Sequence, residues 1–126
     1  MEARGFEISR LDPLVGLRLA GELDLFTSSQ LGLALAEVDD MHPVLVDLSE
    51  LTFIDSAGIG VILSFAGSRT GAQQVILVNP SEPVRRALEI AGLDQHPAVE
   101  ILVRASVRMH SYPAAISVAH DATEAA

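Results

Sequence analysis

The stretch from Val44 to Leu63 limits the fold more than any other. It opens with a nearly continuous apolar run, VLVDL, and closes with FIDSAGIGVIL, Phe53 to Leu63. A run of this kind fits a strand covered on both faces, as in a parallel sheet. After Ser56, the apolar residues Ile59, Ile62, Leu63 and Ala66 recur at helical spacing. A strand, a short loop and then a helix place Ser56 at the carboxyl end of a parallel sheet, where open α/β proteins bind ligands. One ordinary duty of a serine there is to cap a free amide of the first helical turn. It has a second capacity, because a phosphate carried there lies at the positive end of the helix macrodipole.

The flanking segments fit the same architecture. Phe6 to Arg10 reads as an edge strand, Asp12-Pro13 as a turn, and Leu14 to Ala20 as an alternating strand, together a hairpin closed by GELD, Gly21 to Asp24. Thr27-Ser28-Ser29-Gln30 predicts a capping box with Thr27 as N-cap. Leu31, Ala34, Leu35 and Val38 then form the core stripe of a helix that ends before Asp39-Asp40. The helix after Ser56 carries Gly58, Gly60 and Gly67 and is expected to end at Gly71. Each interior glycine costs up to about 1 kcal/mol against alanine. Two in the first turn therefore indicate a helix start kept bare, either for the sheet or for a partner.

Val75 to Val78 is a further buried strand. Ser81 is expected to cap a third helix, with Pro83 in its first turn, Val84, Ala87, Leu88 and Ala91 inside, and Gly92 as its stop. Val99 to Val103 is a last strand. The order β-β-α-β-α-β-α-β predicts an α/β fold with a mostly parallel, four- to five-stranded sheet and helices packed on it. Residues 1–103 form the expected domain. Residues 104–126 form a tail, with a terminal helix expected over Pro113 to His120.

Composition bounds the function. The 126 residues suit one domain, and 49% are hydrophobic but only 4% aromatic, so the core must be aliphatic. The absence of cysteine excludes disulfides and thiolate metal sites and is compatible with the cytosol. A net charge of −9 argues against nucleic acid or an anionic membrane as the main partner. No window approaches the roughly 20 apolar residues of a membrane helix. The start of the chain lacks a signal-peptide pattern. A soluble, cytoplasmic domain is expected.

Catalysis by Ser56 requires a base within hydrogen-bond reach. Ile54 stands where a G-x-S-x-G motif needs its first glycine. His42 and His96 precede strands and so belong at their amino ends, roughly 15 Å from Ser56 at about 3.3 Å per residue. Only His110 and His120, in the tail, remain as candidates. No catalytic residue is assigned. Asp24, Asp47 and Asp55 form an acidic set at strand ends, but loop carboxylates ordinarily cap backbone amides. Gly58-Ile59-Gly60 lacks the third glycine of a dinucleotide loop. No metal and no cofactor are expected.

Three motifs together resemble the STAS domain family, and within it the bacterial anti-sigma factor antagonists. They are GELD at Gly21 to Asp24, DLSELTFIDSAGIGVIL at Asp47 to Leu63, and SEPVRRALEIAGL at Ser81 to Leu93. The likeness covers about residues 6–103. It implies a binding module, not an enzyme. In this family the unphosphorylated antagonist binds an anti-sigma factor that is also a serine kinase, and so frees a sigma factor. The kinase phosphorylates the serine after the motif aspartate, which maps to Ser56, and a serine phosphatase resets it.

By the same resemblance Asp24, Asp55, Gly58, Ile59 and Gly60 border the kinase contact, with Gly58, Ile59 and Gly60 as the exposed start of the helix. For Ile59, core packing is an equally ordinary role. Many antagonists carry D-S-S-G where this chain has D-S-A-G, so Ser56 is the only hydroxyl in the motif. An alternative within the family is a non-switching scaffold subunit in a stress-signalling or lipid-transport complex. The oligomeric state is not legible in the sequence.

Overall fold

The computed structural model describes residues 5–11, 16–38, 42–69, 74–109 and 116–120, the last five and 106–109 by their backbone. Five strands form one sheet in the order β1 (Phe6–Arg10), β2 (Gly16–Leu23), β3 (Val44–Ile54), β4 (Val75–Val78) and β5 (Val99–Leu102). The pair β1 and β2 is antiparallel, and every later neighbour is parallel. Three helices make the crossovers: α1 (Ser28–Ala36), α2 (Ser56–Gly67) and α3 (Glu82–Ile90). The element order and the mostly parallel sheet are those expected.

Burial follows the sequence pattern. Every residue from Val44 to Leu48 is buried. Val44, Val46 and Leu48 join the main cluster with Leu17, Leu19 and Leu77, while Leu45 and Asp47 face the other side of the strand. Asp47 is compensated there by Arg18, whose Nε lies 3.0 Å from its Oδ2. Leu31 and Leu35 of α1, Ile62 and Ala66 of α2, and Val84 and Leu88 of α3 complete an almost purely aliphatic core. Ala91, expected inside, is exposed as the α3 C-cap.

Two glycines carry backbone that other residues resist. Gly21 has a φ of +99°, and a Cβ there would lie 1.9 Å from the Gly5 carbonyl oxygen. It stands where the β2–β3 register shifts. Gly92 ends α3 with a φ of +85°, as expected of a left-handed helix stop.

The tail differs from its expectation. Ala105–Met109 (β6) and Ile116–His120 (β7) form a two-stranded antiparallel sheet, so 116–120 is a strand and not part of a terminal helix. Residues 116–120 carry Ile116 and Val118, which favour extended backbone. The first residue of β6 is clamped to the main sheet. Asn79, in left-handed conformation at the end of β4, donates Nδ2 to the Ala105 carbonyl at 2.8 Å and accepts the Ala105 N–H at 2.7 Å. α2 ends at Gly67 with Ser68 as its C-cap, short of the expected stop at Gly71. Asp12-Pro13, Asp39-Asp40, Gly71 and residues 113–115 lie outside the described residues.

Candidate functional site

Strand β3 runs farther than its apolar start indicates, to Ile54, and one residue alone separates it from α2. That residue, Asp55, is the helix N-cap. Its Oδ1 accepts the Ala57 N–H at 2.9 Å and the Gly58 N–H at 3.3 Å. Ser56 is therefore the first residue of the helix and not its cap. Its side chain is exposed, and its hydroxyl takes no part in the hydrogen bonds of the described residues. The sequence offers two good caps in a row, and the point where β3 stops pairing selects the aspartate.

The neighbouring strand end mirrors this arrangement. Leu23 of β2 is the register partner of Ile54, and the Asp55 N–H donates to the Leu23 carbonyl at 3.1 Å. Asp24 and Asp55 thus leave the sheet side by side. Asp24 is 8% exposed, and its Oδ1 accepts the N–H groups of Phe26 and Thr27 at 2.9 and 3.0 Å. Thr27 Oγ1 accepts the Asp24 N–H at 2.8 Å and donates to the Glu22 carbonyl at 2.9 Å. The expected capping box does not form: Thr27 makes no side-chain cap to α1, and Asp24 organises the turn instead. Likewise Ser81 holds the N-cap position of α3, but its Oγ is buried without a hydrogen-bond partner.

The two glycines at the start of α2 separate. Gly58 is buried, not exposed as expected. A Cβ there would lie 2.6 Å from Leu23 Cγ and 3.2 Å from Ile54 Cγ1, so the strand ends press directly on the helix. Gly60 is exposed, with nothing within 4 Å of where its Cβ would stand. Ile59 is half-buried, packed against the core cluster with its outer part left open. The bare surface beside Ser56 is Gly60 and the outer part of Ile59.

The remaining acidic and histidine candidates lie apart from one another. Asp47 lies eight residues before Asp55, about 26 Å along an extended strand, so the three aspartates do not converge. Among the described residues no group of three His, Asp or Glu side chains is placed to hold a metal. His96 Nδ1 accepts the Ala98 N–H at 3.0 Å, and His42 precedes β3. His110 lies outside the described residues.

One feature of this end of the sheet was not anticipated. Leu25 and Phe26, in the turn that Asp24 organises, are 68% and 84% exposed, and Phe53, the register partner of Glu22, is half-exposed. Their signal in the sequence is the apolar pair directly after GELD, where turns ordinarily carry polar residues.

Comparison with known proteins places this geometry in a family. A family model described as "Mlab, STAS domain" matches residues 7–104. An anti-sigma F factor antagonist from Paenibacillus polymyxa is 36% identical over 83 residues, 61% of this chain and 69% of that protein. The structure of the anti-sigma factor antagonist SpoIIAA in its unphosphorylated form superposes with a TM-score of 0.55 at 26% identity, covering 77% of this chain and 87% of that one. A crystal structure of an anti-sigma factor antagonist from Mycobacterium paratuberculosis shares the fold, with a TM-score of 0.65 at 21% identity over 78% of this chain and 86% of that one. With the matched region spanning all five strands of the main sheet and the three helices, the chain belongs to the STAS domain family.

Proposed function

We propose that this protein is an anti-sigma factor antagonist switched by phosphorylation of Ser56. Unphosphorylated, it binds an anti-sigma factor serine kinase and releases a sigma factor; phosphorylated, it lets go, and a serine phosphatase restores it. Its role is that of substrate and binding partner, not catalyst, and its expected place is the cytoplasm. No helix of the described residues is long and apolar enough to cross a membrane.

The observation that carries this reading is the exposed hydroxyl at the first position of α2, relieved of capping by Asp55. A phosphate adds about −1.5 to −2 charges. The Ala57 and Gly58 amides that would otherwise receive it are already held by Asp55. The new charge therefore stays at the surface, beside a carboxylate. A surface complementary to a neutral hydroxyl and a bare glycine then meets a wrongly placed dianion, which costs several kcal/mol, and each 1.4 kcal/mol is tenfold in affinity.

Incubation with the cognate kinase and ATP is expected to add one phosphate, mapped by mass spectrometry to Ser56. Phosphate confined to other serines, such as Ser49 or Ser64, would refute the assignment, and no phosphate at all would favour the scaffold alternative. Ser56→Asp is expected to fold normally and bind the kinase more weakly than Ser56→Ala. Equal affinities would remove the charge mechanism.

A further inference from the structure

We propose that Leu25 and Phe26 are the apolar anchor by which this protein holds the anti-sigma factor serine kinase; the proposal rests on the Ser56 reading above. Phe26 and Leu25 are among the most exposed large apolar side chains of the described residues. They are not loosely displayed. The Phe26 N–H is fixed to Asp24 Oδ1, the Ser28 N–H to the Asp24 carbonyl at 2.9 Å, and Thr27 Oγ1 ties the turn back to Glu22. The frame uses backbone, a carboxylate and a hydroxyl, and neither apolar side chain is part of it. A rigid turn that presents a leucine and a phenylalanine outward lowers the ordering cost of burying them against a partner. Aromatic residues are enriched in the cores of protein interfaces.

Position ties the pair to Ser56. Asp24 and Asp55 leave neighbouring strands about 5 Å apart, Phe26 lies two residues past the first and Ser56 one past the second, so at about 3.8 Å per residue the two backbones are at most about 16 Å apart. An ordinary interface covers about 800 Å² per partner, a disc of roughly 16 Å radius. A kinase seated over Ser56 therefore covers this turn. The acidic groups around it, Glu22 and Asp55, define the complement: an apolar cleft on the kinase with cationic side chains at its rim. Affinity then comes from the apolar pair and switching from Ser56. Asp24 is a positioning residue, acting through Phe26 and not by direct contact.

Ile90 supplies the control. It is 84% exposed but closes α3. That helix leads from the carboxyl end of β4 back to the amino end of β5, away from Ser56.

The test uses the photo-crosslinker p-benzoylphenylalanine placed singly at positions 26, 60 and 90 of the full chain in its native cells. Positions 26 and 60 are expected to capture the same serine kinase, identified by mass spectrometry, and position 90 not to. Against that purified kinase, Phe26→Ala is expected to weaken binding at least tenfold and Leu25→Ala less, with Ile90→Ala unchanged and all thermal midpoints unchanged. Capture of the kinase from 60 but not 26, or an unaltered affinity of Phe26→Ala, would overturn the anchor and leave the Ser56 switch standing. A lowered midpoint in Phe26→Ala would assign the ring to the fold and overturn it equally. Capture from neither position, with no phosphate on Ser56, would overturn both.

Discussion

At the scale of single residues, the division of labour between Asp55 and Ser56 matters most. The aspartate holds the helix start and the serine faces outward. Loss of an N-cap costs about 0.5–2 kcal/mol, whereas an exposed substitution without such a duty stays within about 0.5 kcal/mol. Asp55→Ala is therefore expected to lower the urea midpoint measurably, and Ser56→Ala to leave it nearly unchanged. The reverse order would mean that the serine is the cap. The sequence alone shows that a cap lies at this joint but not which of two adjacent cap-forming residues provides it. Thr27 does not cap α1 because its hydroxyl is engaged by the Glu22 carbonyl and the Asp24 N–H, and a motif read in one dimension does not display that competition.

At the scale of elements, α2 shows how a glycine pair splits into two functions. An added methyl at Gly58 meets the buried Leu23 side chain, and overpacking costs about 1–3 kcal/mol against a helix gain of about 1. The same methyl at Gly60 meets open space and keeps only the gain. Denaturant unfolding is expected to show Gly58→Ala destabilised by about 1 kcal/mol and Gly60→Ala stabilised by several tenths. Equal shifts would contradict the close approach at Gly58. The sequence already poses the choice between sheet and partner, and strand contacts decide it separately for each glycine. The tail was less legible. Pro113 followed by alanines reads as a helix start, yet Ile116–His120 is a strand. Ile116 and Val118 favour the strand and the alanines the helix, and pairing with β6, which is non-local information, decides between them.

At the scale of the whole molecule, the parallel sheet was readable because its strands are short apolar runs separated by periodic helices. The core composition, almost free of aromatics, followed from the same runs. The charge of −9 is also a property of the whole. If an acidic surface meets a cationic rim, association is steered electrostatically and screened by salt. The association rate with the kinase is expected to fall several-fold between about 0.05 and 0.5 M salt, where the Debye length shrinks well below about 10 Å. A flat response in stopped-flow measurements would leave burial of apolar surface as the sole attraction.

The turn framed by Asp24 and Thr27 draws nothing from the two side chains it displays. Those two letters are therefore free to vary without rebuilding anything beneath them. A cell that runs several signalling lines on copies of one such domain has here an inexpensive address label, by which each copy is kept from answering its neighbour's message.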